Sequence, residues 1–309
     1  MTSARTRHWS AGAIRVRGAL PLACLLLALG AACHRPTGRL QYTTLRSRAE
    51  GRPLRYGVYV PPSWDRQRPL PLVLLLHGAG DDHTAADRAA LIDNLERAVR
   101  SGALPPFVLV TPEGERGFWL NWHDASHHYR DWVMDEVLPA VRARYPLLSE
   151  PEGLHLLGVS MGGGGGLQLW LKERVRFASA TILSAPILNE HDTRAFLRGF
   201  VSSQALDQVF GPEGRGSGVD PYAALQSEAD LQHSKLVFGA ASHDRGGILA
   251  SNRAFHGALA ARGVPHHLLV FDGKHRWSTW QDVFPYALCL QLAAPCTLAP
   301  PAGIEDLKE

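Results

Sequence analysis

Cysteine is scarce: four residues in 309, of which Cys24 lies inside an apolar leader and Cys33 at its end. So few thiols exclude a disulfide-framed scaffold and leave an ordinary globular composition, long enough to bury a large core. Cys289 and Cys296 stand with six residues between them. In an oxidising compartment they could pair, but spacing leaves a bridge and two free thiols both open. No apolar run reaches the eighteen or so residues that a membrane helix needs. No dense Lys/Arg stretch with interleaved aromatics is present, so a nucleic-acid partner has no support. The net charge is only +3, and Arg5, Arg7, Arg15 and Arg17 all precede residue 20. Internal repeats are absent, and His123, His127 and His128 lack the ordered spacing of metal ligands.

What is present begins with export. Four arginines and no acid precede the apolar run 19–30, "ALPLACLLLALG", the length of a signal-peptide core. It ends in "LGAAC". This resembles a bacterial lipoprotein signal, which implies that Cys33 is lipidated and becomes the mature N-terminus. The expected organisation is a signal peptide over 1–33, a linker over 34–40, a catalytic domain over 41–292 and a loose tail over 293–309. The expected location is the cell envelope or beyond, with contact to a membrane through the lipid.

Residues 41–48 and 54–60 pattern as a hairpin. Short apolar runs follow at 72–76, 107–110, 154–158, 180–183, 235–239 and 266–271. Runs that do not alternate fit strands buried on both faces. Helical patterns cover 86–100, about 129–144 and 251–262, and residues 187–232 read as an excursion over the sheet. Strands alternating with helices predict an α/β fold, a mostly parallel central sheet with helices on both faces.

The sequence "LLGVSMGGGGG", residues 156–166, places Ser160 between a predicted strand and a predicted helix. A Gly-x-Ser-x-Gly segment in that setting is a nucleophile elbow, a sharp turn that exposes the serine and leaves room only for tiny neighbours. This accounts for Gly158 and Gly162, but not for Gly164 to Gly166. A serine hydroxyl needs a base, and the base needs an orienting carboxylate. His275, in "FDGKHRWSTW" after the last predicted strand, is the expected base. Asp244, in "AASHDRGG" after the preceding strand, is favoured as the acid over Asp272, which leaves the same strand as His275. The expected oxyanion donors are the Met161 and Ala79 N–H groups, with Gly80 next in the "HGAGDD" loop.

At these residues the chain resembles the esterase D family of α/β-hydrolases, which includes S-formylglutathione hydrolases, feruloyl and acetyl-xylan esterases and mycolyltransferase antigens. The likeness covers about residues 41–290. It rests on "LLLHGAG", "YRDWVMDEVLPAVRARY", "LLGVSMGG", "GAASHD" and "GKHRWSTW". It implies an α/β-hydrolase fold, the triad Ser160, Asp244 and His275, and hydrolysis of a small-molecule or glycan-linked ester with no cofactor and no metal. Two departures stand out: "HGAGDD" replaces the family's usual "HGxGG", and the glycine run is longer than usual. His77, Trp119, Trp122 and Trp277 are candidates for touching substrate, with Phe118, Trp119 and Trp122 as a stacking wall; core packing is the other reading. An acyltransferase or peptidase on the same triad, and a non-catalytic binding protein, are the alternatives.

Overall fold

A run such as "LVLLL" can be apolar at every position only if both of its faces are covered, and the fold supplies that cover. In the computed structural model, which describes residues 38–213, 220–227, 235–293 and 295–308, strand β3 (Leu72–Leu76) is buried throughout. Leu72, Leu74 and Leu76 join one core cluster, while Val73 and Leu75 join another. The same holds for β4 (Val108–Pro112), β5 (Leu154–Val159) and β6 (Ser179–Leu183), none of which exposes a residue. These are the central strands of a sheet sandwiched between two apolar layers. The signal peptide and Cys33 lie outside the described residues.

Among the described residues the sheet has nine strands, ordered β1-β2-β4-β3-β5-β6-β7-β8-β9. The hairpin β1 (Gln41–Arg46) and β2 (Pro53–Tyr59) is antiparallel, with Gln41 opposite Val58. β3 to β8 are parallel, with β7 at Lys235–His243 and β8 at His266–Lys274. Helices connect them: α1 (Ala85–Arg88) and α2 (Leu91–Arg100) after β3, α5 (Met161–Lys172) after β5, α6 (Glu190–Leu197), α7 (Ser203–Phe210) and α8 (Pro221–Ser227) after β6, and α9 (Ile248–Ala260) after β7. α10 (Trp277–Leu292) follows β8. No helix among the described residues is long and apolar enough to cross a membrane.

Four details differ from the sequence expectation. The stretch 86–100 is two helices, because Ala90 at φ 53° turns the chain and lets Ala85, Ala86, Leu91 and Leu95 all point inward. The helix over 129–144 begins as α3 (Tyr129–Asp131), widens to a π-helical turn at Trp132–Val137 and ends as α4 (Leu138–Arg144). The wider turn brings the consecutive Trp132, Val133 and Met134 into the core. The linker does not run free up to residue 40: the Gly38 N–H donates to the Glu96 carboxylate, and Leu40 is buried.

The fourth difference is the tail. Ile304–Lys308 forms β9, antiparallel to β8, with Lys308 opposite His267. A disulfide joins Cys289 at the end of α10 to Cys296. Tyr286 Oη and His267 Nδ1 both donate to Asp306, at 2.8 and 2.9 Å. A covalent tie and side-chain bonds thus hold a short polar strand that its own sequence does not advertise.

Two titratable groups, His155 buried and Glu113 half-buried, set an acid response. Burial, with the Lys235 charge second, pushes the His155 imidazole down from 6.5 to about 4. It stays neutral in the fold while the unfolded chain takes up its proton, so stability falls as pH drops from 6.5 to 4, by up to about 3 kcal/mol. Burial pushes the Glu113 carboxyl up, but its hydrogen bonds from His83 and the Glu115 N–H outweigh this and bring it to about 2. Its contribution is complete above the unfolded value near 4.3 and is lost as pH falls toward 2. Urea midpoints should therefore decline from pH 6.5 downward in two overlapping steps. His155→Gln should flatten the upper step and leave the lower; unchanged curves would refute the assignment.

Candidate active site

Parallel strands deliver their following loops to one edge of the sheet, and that is where the candidate residues meet. Ser160 sits between β5 and α5 with φ 53° and ψ −118°. A non-glycine residue rarely adopts that backbone, and here the surroundings enforce it. The Ser160 N–H donates to Leu183 O at the end of β6 (2.9 Å), and the Ser160 carbonyl accepts from Gly164 N (2.9 Å). Helix α5 crosses the strand ends so closely that a Cβ on Gly162 would stand 2.1 Å from Leu76 O, and one on Gly158 2.2 Å from Gly162 O.

The rest of the glycine run divides by the same test. A Cβ on Gly165 would lie 2.2 Å from Phe118 O and 2.9 Å from Trp119 Cβ, whereas one on Gly164 meets nothing within 4 Å. Gly165 lets α5 lie on the strained 118–119 turn, where Phe118 and Trp119 have φ of 55° and 62°. Gly164→Ala should raise stability by about 0.5–1 kcal/mol, since alanine suits a helix and loses less freedom on folding. Gly165→Ala should cost about 1–3 kcal/mol through overpacking. Thermal melts of the two variants check this; equal effects would refute it.

Three loops supply the remaining groups. His275 follows β8, and its Nε2 accepts from Ser160 Oγ at 2.8 Å. Its Nδ1 donates to Asp244 Oδ1 at 2.6 Å, which leaves Nε2 as the ring's acceptor. Asp244 follows β7, and its side chain is wholly buried. Burial pushes its carboxyl up, but hydrogen bonds from His275, Ser184 and the Arg245 N–H more than offset this and hold it below the usual carboxylate value. Asp272 is exposed and accepts instead from Ser242 Oγ at 2.9 Å. Ser184 escaped the sequence reading. It directly follows β6 at φ 52°, fully buried, bonds Asp244 and accepts from Trp280 Nε1 at 2.8 Å. The signal was a lone serine closing a core strand at the same edge. Trp280 also packs edge-on against His275, with ring centres 5.0 Å apart.

The loop after β3 passes beside the serine: a Cβ on Gly78 would be 3.3 Å from Ser160 Cβ. Gly80, at φ 84°, and the Asp81 N–H to Gly78 O bond (3.2 Å) close its turn around Ala79. Met161 opens α5, and N–H groups of a first helical turn have no carbonyl within the helix. Trp277 stands at this mouth, half-buried, and donates from Nε1 to Asp81 Oδ2 at 2.8 Å.

Two of the candidates for substrate contact lie wholly inside the protein. His77 is fully buried; its Nδ1 donates to Gly78 O (2.9 Å) and its Nε2 accepts from Gly114 N (3.1 Å). Trp119 is likewise fully buried, with Nε1 donating to His77 O at 3.2 Å. Both brace the Gly78 loop from beneath. Trp122 is half-buried and packs with Phe118 against Leu206, Val209 and Phe210, all residues of α7 (Ser203–Phe210). Its Nε1 donates to Gly117 O. These contacts cover one side of the Phe118 and Trp122 rings, both of which stay half-buried.

A family model described as "Putative esterase" matches residues 47–289. The chain belongs to that esterase family. An esterase of Mycobacterium tuberculosis is 26% identical over 259 residues, which are 77% of this chain and 56% of the relative. The chain thus spans about half the length of that curated relative. Among solved structures, an S-formylglutathione hydrolase of Staphylococcus aureus superposes with TM-score 0.70 at 20% identity, covering 83% of this chain and all of the other. A ferulic acid esterase superposes with TM-score 0.69 at 21% identity, covering 82% and 98%. These likenesses establish the α/β-hydrolase fold for this member of the family.

Proposed function

We propose that this esterase-family chain is an exported serine hydrolase of carboxylic esters, working through a covalent acyl-enzyme on Ser160. The unbroken hydrogen-bonded line from Ser160 through His275 to the buried Asp244 carries the reading. As the ester enters, Ser160 Oγ attacks its carbonyl carbon and His275 Nε2 takes the hydroxyl proton. Asp244 keeps the proton on Nδ1 and stabilises the imidazolium. The carbonyl oxygen becomes an oxyanion held by the Met161 and Ala79 N–H groups. Collapse breaks the ester bond, His275 protonates the leaving alcohol, and water then repeats the sequence to release the acid. No step calls on a metal or cofactor.

The substrate class proposed is a small or glycan-linked ester, in keeping with neighbours named for ferulic acid. The protein is further proposed to reach the cell envelope through its leader and to be held to a membrane by lipid on Cys33. Treatment with a fluorophosphonate should add one covalent label on Ser160 and abolish hydrolysis of p-nitrophenyl and feruloyl esters in parallel. A label elsewhere, or full activity after labelling of Ser160, would refute the reading.

A further inference from the structure

The edge of the sheet opposite Ser160 has its own chemistry. β3 to β8 run parallel, so helix C-termini and strand beginnings gather there. α2 ends in Arg97 and Arg100, and α4 ends in Arg144, all exposed. Lys235 opens β7 and Lys308 closes the antiparallel β9, both exposed. The two lysines rim one cavity of about 390 Å³ that His267, Tyr286 and Asp306 also line.

The carboxylates at this edge are largely committed within the protein. Glu96 holds the Gly38 N–H and Arg100. Glu150 holds Arg142 and Arg176, and Asp306 holds His267 and Tyr286. Among the described residues at this edge, Asp65 and Glu152 are exposed acids.

Basic residues at helix C-termini also satisfy the helix dipole. That need does not extend to Lys235 or Lys308, which lie on strands. Nor does it explain the apolar residues beside them. Val175, between α5 and β6, is 80% exposed, and Leu148, before β5, is 40% exposed. Cations interspersed with outward apolar side chains are the chemistry of an interfacial membrane surface.

We infer that this edge docks on an anionic lipid bilayer, with the Ser160 edge facing away from it. The first described residues leave from the same edge. β1 runs in the direction of β4 through the antiparallel β2, so Gln41 begins at this side, and Gly38 is bonded near the end of α2. A lipid on Cys33 would sit five residues upstream, about 17 Å of extended chain. The orientation rests on that tether reading, whereas the charge and exposed apolar groups of the face stand without it.

The test uses the full chain carrying Cys33→Ala, so that the leader is the same in every sample and no acyl chain is attached. Co-sedimentation is measured with phosphatidylglycerol vesicles and with phosphatidylcholine vesicles. Binding should favour the anionic vesicles and fall in about 0.5 M salt. Arg144→Glu, Lys235→Glu and Lys308→Glu together should weaken it at least roughly 100-fold, and Val175→Asp alone should weaken it several-fold. Hydrolysis of a soluble ester should be unchanged in these variants, which shows that they fold and reads the Ser160 proposal separately. The mass of the wild-type N-terminus from cells reads the tether separately. Equal binding to both vesicle types, binding indifferent to the substitutions, or capture by a soluble polyanion with none by vesicles would overturn the inference.

Discussion

Ser160→Ala should give a folded protein whose turnover of activated esters is lower by about 10⁴ to 10⁶. The reason is the isolation of that hydroxyl. His275 Nε2 is directed at Ser160 Oγ and at 2.8 Å is placed to receive its proton. Ser160 N and O are engaged with Leu183 and Gly164, so the side chain can be removed while the backbone turn is kept. Serine already carries a Cβ at φ 53°, so alanine adds no strain to the turn and the melting temperature should move little. The measurements are initial rates on p-nitrophenyl acetate and a thermal melt on the same preparation. A variant that keeps a tenth of the activity would remove Ser160 from the chemistry.

Asp244→Asn should cost about 10⁴ in turnover at neutral pH, while Asp272→Asn should cost less than tenfold. Asparagine can present an amide N–H to Nδ1, which favours the wrong imidazole tautomer and puts a proton on Nε2, where the serine's proton must go. Asp244 is buried, and its other bonds come from Ser184, Arg245 N and Ala241 N. The carboxylate is therefore fixed by three strand ends. Asp272 is exposed and tied to Ser242. Its loss loosens one contact between the neighbouring strands β7 and β8. Steady-state rates for the pair decide the matter: the reverse order would transfer the acid's role to Asp272 and leave Ser160 and His275 untouched.

Much of the frame was legible because it is written locally. An apolar run without alternation must be covered on both sides, and "LVLLL", "LHLLG" and "ATIL" all became central strands. A serine between tiny residues, after a strand and before a helix, marks a tight turn wherever the remainder folds. His275 and Asp244 were legible from chain order, because parallel strands return every following loop to the same edge. The aromatic stretch 118–122 was harder. Its composition suits a core or a binding wall equally, and Trp119 became core because His77 O accepts its indole N–H.

The alternation of strands and helices, the parallel sheet and the position of the serine turn follow from neighbours within a few residues of one another. Tertiary structure alone decided the rest. It chose Gly165 rather than Gly164 as the glycine that cannot grow a side chain, because the obstacle, Phe118 O, lies 47 positions away along the chain. It set Ser184 against Asp244 and gathered Arg144, Lys235 and Lys308 on one edge. It also turned the tail into β9, whose short polar stretch becomes a strand only when β8 offers an open edge and Cys289 holds Cys296. Local pattern states which side chains must leave water. What they meet when they leave it is set by contacts between segments far apart in the chain, and those exist only in the folded molecule.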